Sequence, residues 1–284
     1  MHRPFSFAAG LLTLMATVLP APASAQTALL SHAERPARLI RKTTVYDAPA
    51  GVRLLPGDIV ESGASGLQIE WPNGAVLALG PSSSVQLDGP ASPTVLLLRG
   101  WLKLAATKPA NSQLAASAGP WQLKADHGSA ILHLAGTKTE LFVEQGPLPL
   151  TETDRPGATG PTAVGRDQYA VRNGEQALQV SQRAPRQFVS EMPRTFYDPL
   201  VTIASRIRPA DPAALREIEV QDLASWNDVP PLLRKRMVAQ FTPRLNDAAF
   251  RQNVEAQLGD DPDWRQALQK TVKKRPPGMS NYLF

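Results

Sequence analysis

The stretch LQIEWPNGAVLAL, residues 67–79, decides the fold. From Leu67 to Trp71 every second residue is apolar, which is the pattern of a strand with one buried face. Pro72-Asn73-Gly74 follows, and this order suits a type I turn that a glycine with positive φ closes as a bulge. The alternation resumes in residues 75–79. The stretch therefore predicts a β-hairpin with a three-residue loop.

Short strand-like segments flank this hairpin on both sides and extend over residues 44–180. The longest segment covers residues 95–104, and Gly100 interrupts it, which predicts a bend where the sheet changes direction. Residues 26–43 have no clear period and are interpreted as a surface lead-in. Many short strands separated by turn residues are typical of an antiparallel β-sandwich or roll.

The pattern becomes helical beyond residues 181–194, which are predicted to form a linker. In residues 195–270, Asp-Pro pairs place an N-cap acceptor before a proline at the first helical position, and apolar residues recur at helical spacing. Gly259 is expected to end a helix in a left-handed cap. These positions are Asp198-Pro199, Asp211-Pro212, Asp261-Pro262, Leu200, Ile203, Ala204, Ile207, Leu233, Met237, Phe241, Phe250, Val254, Leu258, Trp264 and Leu268.

The predicted fold class is therefore α+β. It comprises an N-terminal antiparallel β-sandwich or roll of short strands at 44–180, followed by a small α-helical C-terminal unit at 195–270. Residues 271–284 are predicted to form a tail.

Residues 1–25 have the features of a secretory signal peptide. Arg3 supplies the positive charge, residues 5–19 are apolar, and Ala23-Ser24-Ala25 offers a small-residue exit. The apolar run is shorter than the ~20 residues that a membrane-spanning helix needs. We therefore expect cleavage between Ala25 and Gln26, a periplasmic or secreted location in the bacterial envelope, and no stable membrane span after cleavage.

Composition excludes disulfides and argues against a nucleic-acid partner. The chain has no cysteine, so it can form neither a disulfide nor a lipoprotein attachment. Loss of Arg3 with the leader takes the formal charge from +5 to +4, and the charges are spread along the chain. Because a weak and dispersed positive charge is not typical of a groove for a polyanion, no nucleic-acid partner is expected.

The histidines of the chain do not predict a metal site. The mature chain keeps His32, His127 and His133, none at metal-ligand spacing, and it has no thiolate. His133 is expected to face solvent from a strand, and Asp126-His127-Gly128 is interpreted as a turn rather than as an oriented imidazole. No metal or other cofactor is predicted.

No arrangement of nucleophiles or carboxylates in the sequence indicates an enzyme. Ser82-Ser83-Ser84 lacks the Gly-x-Ser-x-Gly elbow of serine hydrolases, so it is interpreted as a polar turn. Glu140 and Glu144 share one strand face, but no burial signal in the sequence raises the pKa of either carboxyl. We therefore expect a non-enzymatic protein.

Three features of the sequence could serve binding. Arg234-Lys235-Arg236 and Lys273-Lys274-Arg275 could meet anionic polymers or lipid head groups, although solvated cations near helix C-termini are the simpler interpretation. Asn281-Tyr282-Leu283-Phe284 is similar to the C-terminal ending of outer-membrane barrel proteins, and a disordered tail is the simpler interpretation. Three tryptophans could line a groove, although their inward strand phase favours the core: Trp71, Trp101 and Trp121.

Short motifs along residues 44–173 together resemble the periplasmic domain of FecR-type proteins. Each motif is a strand or the turn beside one, and their order carries the resemblance. The motifs are Pro56-Gly57-Asp58-Ile59-Val60, Leu67-Gln68-Ile69-Glu70-Trp71, Asn73-Gly74-Ala75-Val76-Leu77, Pro81-Ser82-Ser83-Ser84-Val85, Val95-Leu96-Leu97-Leu98-Arg99-Gly100, Ala135-Gly136-Thr137, Phe142-Val143-Glu144-Gln145-Gly146 and Val164-Gly165-Arg166-Asp167-Gln168.

The resemblance implies a β-rich domain that binds another envelope protein. FecR-type proteins typically join a cytoplasmic anti-sigma segment to this domain through one membrane helix. Only residues 1–4 precede the apolar run here, so we expect an exported domain without sigma-factor regulation. The resulting hypothesis is a non-enzymatic protein-interaction module in an assembly or sensing pathway of the envelope. Two alternatives stay open: a module that binds peptidoglycan or another envelope polymer, and a polysaccharide-acting enzyme whose site is assembled from dispersed carboxylates.

Overall fold

Two β-sheets packed face to face form the centre of the structure. The computed structural model describes residues 27–273 except 90–92, 107–112, 155–159, 225, 227, 228 and 230. The strands are β1 (Ala28–Ala33), β2 (Ala37–Arg41), β3 (Thr44–Ala48), β4 (Arg53–Leu54), β5 (Ile59–Glu61), β6 (Leu67–Glu70), β7 (Ala75–Leu79), β8 (Ser84–Asp88), β9 (Thr94–Ala106), β10 (Leu114–Ala118), β11 (Trp121–Ala125), β12 (Gly128–Ala135), β13 (Lys138–Gln145), β14 (Leu148–Glu152), β15 (Thr162–Val164), β16 (Tyr169–Asn173), β17 (Gln179–Ser181) and β18 (Ala213–Glu217).

The strand β9 belongs to both sheets. Sheet A has the order β4-β1-β6-β7-β9-β12-β13-β16-β17. Sheet B has the order β18-β3-β2-β5-β8-β9-β10-β11-β14-β15. Neighbouring strands are antiparallel except β9 and β10, which run parallel. The antiparallel sandwich or roll predicted from the sequence is therefore the central architecture.

The predicted hairpin is present as β6 and β7, with Leu67 opposite Leu79. The Gly74 N–H donates to the carbonyl of Trp71 over 3.0 Å, and Gly74 has a φ of +88°. These features confirm the predicted turn, in which glycine takes the position that requires a positive φ.

The strand β9 changes sheet at Gly100, which confirms the predicted bend. Residues 94–99 pair with β8 and β10 in sheet B, and residues 100–106 pair with β7 and β12 in sheet A. Gly100 has a φ of +83°, and a Cβ at this position would lie 2.3 Å from Ser83 Oγ. The same Oγ accepts a hydrogen bond from the Trp101 N–H at 2.8 Å. A residue without a side chain is therefore needed where the two sheets join.

Aliphatic side chains fill the space between the sheets. Because side chains alternate along a strand, each strand contributes every second residue to this core. Trp71 and Trp121 lie in it as predicted. Trp101 is also buried, but on the outer face of sheet A, so its predicted inward phase is wrong. Fully buried members of the core include Leu30, Ile69, Leu77, Leu102 and Trp121.

The chain after β17 covers the outer faces of both sheets. Residues 184–206, here called the crossing segment, lie across sheet A and bury Phe188 and Phe196. The chain then forms β18 beside β3, and the following helices pack on sheet B against Ile40, Ile59 and Leu96. The α-helices are α1 (Arg186–Glu191), α2 (Val220–Ala224), α3 (Pro231–Phe241), α4 (Ala248–Leu258) and α5 (Pro262–Lys273), and the 3₁₀ helices are Arg194–Phe196, Ala204–Arg206 and Thr242–Asn246.

The predicted α+β fold class is wrong, because the described chain is mostly β with a few short helices. Two segments with helical periodicity lie on the sheets instead. Residues 200–207 contain a single 3₁₀ turn, and residues 213–217 form the strand β18. Hydrogen bonds to Glu70 hold the first segment, and pairing with β3 holds the second. Such tertiary contacts outweigh helix propensity, which differs by only about 0.7 kcal/mol among ordinary residues.

Other helical predictions divide between confirmed and wrong. Asp261 caps α5, since its Oδ1 accepts hydrogen bonds from the N–H groups of Asp263 at 2.9 Å and Trp264 at 3.1 Å. The apolar face of α4 is buried as predicted. Gly259 has a φ of −63°, so the expected left-handed cap is wrong.

The prediction that residues 26–43 form a surface lead-in is wrong, because β1 and β2 lie within this range. β1 buries Leu30, and β2 buries Leu39 and Ile40. Alternation is hidden there because residues on both faces of these strands are buried: Leu39 points to the core between the sheets and Ile40 to the helices. The period-2 rule detects strands with one polar face, so it passes over strands of this kind.

The division into a β domain, a linker and a helical unit stays a prediction, since it concerns whether these parts fold independently. In the structure, α1 lies within the predicted linker 181–194 and buries Phe188. The predicted signal peptide, its Ala25–Gln26 cleavage site and the tail beyond Lys273 lie outside the described residues. Across the described ranges, no helix combines the length and apolar character needed to cross a membrane.

Candidate functional site

Glu140 is the centre of a buried polar cluster on the outer face of sheet A. The residue is 2% exposed, and its Oε2 lies 2.8 Å from His133 Nδ1. Its Oε1 lies 2.7 Å from Lys138 Nζ and accepts a hydrogen bond from the Tyr169 hydroxyl. Both carboxylate oxygens therefore have partners before any ligand arrives.

His133 does not face solvent, so that prediction is wrong. Its imidazole stacks on the Trp101 ring, with centroids 3.9 Å apart and planes 11° from parallel. The two residues are direct partners on neighbouring strands, which places their side chains on one face. Phe188 of the crossing segment lies over Trp101 at 5.1 Å between ring centroids. His133 is thus part of the packing beneath the crossing segment.

The environment of Glu140 moves its pKa away from neutrality. Burial favours the neutral acid, but hydrogen bonds with His133, Lys138 and Tyr169 outweigh burial and lower the pKa of Glu140 to about 2. Burial, followed by the hydrogen bond to Glu140, raises the pKa of Tyr169. A general acid or base works best with a pKa near the operating pH. This cluster is therefore suited to holding structure.

Replacing Glu140 with glutamine is expected to remove part of the acid sensitivity of the fold. The carboxylate of Glu140 is stabilised in the folded state, so its contribution is present above its ordinary pKa of 4.5 and is lost as the pH falls towards about 2. We expect the parent to lose up to about 3 kcal/mol of unfolding free energy through this group over that range, and Glu140→Gln to lack this component. Urea unfolding at a series of pH values measures it.

The control for this experiment is the exposed residue Glu34. Glu34→Gln removes an exposed carboxylate just after β1, so its pH profile is the reference against which that of Glu140→Gln is compared. Parallel profiles for Glu140→Gln and the parent between pH 4.5 and about 2 would contradict the assignment.

Lys103 ties the crossing segment to sheet A. It is 1% exposed, and its Nζ donates to the carbonyls of Phe196 at 2.6 Å and Asp198 at 2.9 Å. The same Nζ pairs with Glu144 Oε1 at 2.8 Å, and the other oxygen of Glu144 accepts from Ser129. Glu140 and Glu144 share one face as predicted, and both are held in ion pairs.

The serine run is a turn only in part. Ser82 has a φ of +53° and lies in the turn, as predicted. Ser83 and Ser84 are fully buried, and Ser83 belongs to the joint at Gly100. The run therefore supports the fold where β9 changes sheet.

Both arginines of the basic run in α3 are engaged in ion pairs. Arg234 Nε lies 3.1 Å from an Asp261 oxygen and 3.2 Å from an Asp263 oxygen, and Arg236 pairs with Asp88. These contacts connect α3 to α5 and to β8. Of the second run, only Lys273 is within the described residues, and residues 281–284 lie outside them.

A row of charged residues crosses sheet B beyond the edge of the helical unit. On the outer face of sheet B, Ile40 and Ile59 lie beneath the helices. Arg38 and Glu61 lie on the same face, two residues further along the same strands. The row follows direct strand pairing from β3 through β2, β5 and β8 to β9. Its members, here called the charged row, are Asp47, Arg38, Glu61, Ser84 and Arg99.

A cleft of about 360 Å³ opens above this row. We call it the arginine cleft, because Arg38, Arg99 and Arg216 line it. Leu215, at the irregular position in β18, stands on its rim and is 56% exposed. The cleft occupies the part of the outer face of sheet B that bears charges instead of apolar side chains.

Ion pairs fix two of the three arginines. Arg216 binds Asp222 through two hydrogen bonds of 2.7 and 2.9 Å, and Arg38 bridges Asp222 and Glu61. The hydrogen bond to Asp222 raises the pKa of Arg216. Burial opposes ionisation of Asp222, but the bonds from Arg216 and the Glu219 N–H outweigh it and lower its pKa. These groups therefore stay charged at neutral pH.

The end of the row at β9 is not closed. Arg99 has a side chain that is 44% exposed, and its closest approach to an acid is 3.6 Å, from its Nη2 to Glu61 Oε1. Glu61 is 5% exposed, yet this Oε1 has no hydrogen-bond donor among the described residues. The buried hydroxyl of Ser84, next along the row, also lacks a partner within those ranges. A buried carboxylate oxygen without a donor is costly.

The arginine cleft was not predicted from the sequence. Its groups are separated by up to 184 residues along the chain and meet only through strand register. The available signal was the placement of Glu61 and Arg99 inside otherwise apolar strands, since charged side chains at such positions need partners. In the described part of the chain, no group of three or more His, Asp or Glu side chains is placed to hold a metal ion.

Two solved structures resemble part of this chain, each described as a "putative anti-sigma factor" from Parabacteroides distasonis ATCC 8503, at 2.50 and 1.65 Å resolution. Their TM-scores are 0.39 and their identities 12% and 11%. Each match covers 46% of this chain and 62% of the other, so the chain spans less than two thirds of their length. No protein-family model and no curated protein matches the chain. A likeness of this extent transfers no function.

Proposed function

We propose that the protein is a non-enzymatic, FecR-like protein-interaction module of the bacterial envelope, and that it meets its partner at the arginine cleft. The observation that carries this proposal is the open end of the charged row. There, Arg99 lines the cleft with a side chain that is 44% exposed, and its ion pair with Glu61 is 3.6 Å long, beyond hydrogen-bond distance. An anionic group on a bound partner would accept hydrogen bonds from this guanidinium.

The chemistry of the cleft favours recognition over catalysis. Arg216 and Asp222 have pKa values displaced away from neutrality, and so does Glu140 in the other cluster. Fixed charges of this kind orient a partner and set its register, whereas proton transfer needs groups that titrate near the working pH. The exposed Leu215 on the rim adds apolar surface beside the charges, as binding sites commonly do.

The residues around the cleft make it a preorganised site, whose side chains are held in place before a partner binds. Arg38 and Arg216 are held by Asp222, which belongs to the first turn of α2. A residue of α2 therefore holds two of the arginines that line the cleft. A site whose side chains are already fixed loses less conformational entropy on binding.

A photo-crosslinking residue at Leu215 tests the proposal in intact cells. We expect a discrete adduct with one envelope protein, recovered from the periplasmic or secreted fraction, and we expect Arg99→Glu to abolish it. The mass of the adduct also reports whether the mature chain begins at Gln26. The same crosslinker at Val189, which is 39% exposed on the crossing segment, serves as the control.

Two results would contradict the proposal. One is an adduct at Leu215 that survives Arg99→Glu and matches the pattern from Val189. Such an adduct would show nonspecific crosslinking rather than binding at the cleft. The other is an intact Met1 end in the membrane fraction, which would exclude the proposed export.

A further inference from the structure

The crossing segment is fixed along its length on the outer face of sheet A. Phe188 is buried against the sheet, Lys103 donates hydrogen bonds to two carbonyls of the segment, and Glu70 accepts two from its backbone N–H groups. Because these contacts hold the backbone on the sheet, the side chains that stay exposed lie on the side away from the sheet. They form the surface of the molecule on the sheet A side.

Five arginines in the crossing segment and at its two ends are exposed to solvent. Among the described residues, none of their guanidinium groups forms a hydrogen bond, and no carboxylate oxygen lies within 4.0 Å of their nitrogens. Acids hold Arg172 and Arg216 elsewhere in the structure. Positive charge that the protein itself does not neutralise favours an anionic partner. The five residues are Arg183, Arg186, Arg194, Arg206 and Arg208.

Negative charge is sparse in the same stretch. Between residues 183 and 208 the sequence has two acids, Glu191 and Asp198, and Glu191 already accepts a hydrogen bond from Gln187. In the described part of the chain, an anion at these arginines is therefore not opposed by a carboxylate at ion-pair distance. The stretch can attract several anionic groups at once.

Exposed apolar side chains lie between these arginines. Tyr197 is 55% exposed and Val201 65% exposed, and both belong to the crossing segment. The Tyr197 hydroxyl donates to the carbonyl of the exposed Val189 at 2.8 Å, which brings these two residues together. Aliphatic side chains and tyrosine rings enter the boundary between lipid head groups and acyl chains, whereas a soluble anion would leave them in water.

We infer that the crossing segment binds the surface of an anionic phospholipid membrane. The five arginines contact the head groups, and Val189, Tyr197 and Val201 enter the boundary beneath them. The binding is peripheral, since the segment stays on sheet A and adds side chains alone to the lipid. Charge and apolar surface together are the signals that such binding needs.

This membrane surface and the arginine cleft are on opposite sides of the molecule. The two sheets pack face to face, the crossing segment covers the outer face of sheet A, and the cleft opens on the outer face of sheet B. A chain held on a membrane would therefore present its cleft away from the lipid. The inference does not rest on the proposed function, because the two surfaces share no residue.

Cosedimentation of the mature chain, beginning at Gln26, with lipid vesicles tests the inference. We expect binding to vesicles of equal parts phosphatidylcholine and phosphatidylglycerol, and none to phosphatidylcholine alone. Salt at about 1 M, which screens charges beyond about 3 Å, should release the chain. The combined variant Arg186→Gln, Arg194→Gln and Arg206→Gln should bind at least about tenfold more weakly, since each arginine strengthens binding to an anionic surface by about fivefold.

The matched control removes three exposed positive charges from the other side of the molecule. Lys124→Gln, Lys235→Gln and Lys270→Gln change β11, α3 and α5, and together they give the same net charge as the arginine variant. We expect this control to bind the vesicles as the parent does. The thermal midpoints of both variants should equal that of the parent, because all six side chains are exposed.

A further variant separates a membrane from an anionic polymer. Val201→Ser removes exposed apolar surface and no charge, and we expect it to weaken vesicle binding at least about threefold. Inorganic polyphosphate is the polymer probe. If the parent binds polyphosphate through the three arginines and does not bind the vesicles, the lipid assignment is overturned in favour of a polymer.

Three other outcomes would overturn the inference: equal binding to both kinds of vesicle, full binding by the arginine variant, or equal losses in the arginine and lysine variants. The last would show that net charge, and not the crossing segment, attracts the chain. Arg99→Gln should leave vesicle binding unchanged, and a crosslink at Leu215 that depends on Arg99 would stand even if the chain bound no vesicles. The two proposals therefore fail separately.

Discussion

Gly100→Ala is expected to destabilise the protein by about 3–5 kcal/mol. The added Cβ would lie 2.3 Å from Ser83 Oγ and 2.8 Å from both Ser83 Cα and Cβ, so the backbone at Ser83, just before β8, must move. The φ of +83° contributes strain of about 1–2 kcal/mol for a residue with a side chain, and forced repacking typically costs about 1–3 kcal/mol. Displacing Ser83 also weakens its hydrogen bond with the Trp101 N–H. Equilibrium urea unfolding measures the loss.

Gly57→Ala separates the two causes. Gly57 has a φ of +88°, close to that of Gly100, but a Cβ added there would meet nothing within 4 Å. We therefore expect Gly57→Ala to lose only about 1–2 kcal/mol. Equal losses for the two variants would show that backbone conformation alone makes glycine necessary at position 100. A loss below about 1 kcal/mol at Gly100 would contradict the tight joint between the sheets.

Lys103→Ala is expected to lower the free energy of unfolding by about 3–5 kcal/mol and to release the crossing segment. Removing the ammonium leaves Glu144 without its ion pair and the carbonyls of Phe196 and Asp198 without this donor. Breaking a buried ion pair on one side leaves an uncompensated charge, and effects of this size are typical. Urea unfolding measures the stability, and the rate of tryptic cleavage at Arg194 reports the release.

Lys103→Met distinguishes the charge from the volume. Methionine keeps most of the side-chain volume but none of the donors, so faster cleavage at Arg194 should persist while the stability loss becomes smaller. Lys124→Met is the matched control, since Lys124 is an exposed residue of the strand β11. If Lys103→Met were as stable as the parent and cleaved at the same rate, the contacts of the Lys103 ammonium would contribute neither to stability nor to holding the crossing segment.

The sequence predicted those parts of the fold whose signals are local. The hairpin of β6 and β7 and the bend at Gly100 depend on turn residues and alternation within a few positions. The same holds for the cap at Asp261, which needs only the next three residues. In each case, local conformation and tertiary packing favour the same structure.

Elements whose conformation depends on distant partners were missed. Residues 213–217 have a proline-led start that suits a helix, yet they form a strand because the edge of β3 offers a ladder of hydrogen bonds. The arginine cleft likewise exists only once Arg38, Glu61 and Arg99 are in register on three strands. Sequence spacing holds no information on that register, so neither could be derived from it.

The covering of both sheets by the last part of the chain has a consequence for biosynthesis. The outer face of sheet A is closed by Phe188 and Phe196, and that of sheet B by helices up to α5. The ribosome makes a chain from its N-terminus, so every strand before β18 is made before the crossing segment and the helices that cover the sheets. Until then, apolar faces with Ile59 and Leu96 are open to other chains. A newly made molecule therefore exposes these apolar faces until the elements that cover them have been made.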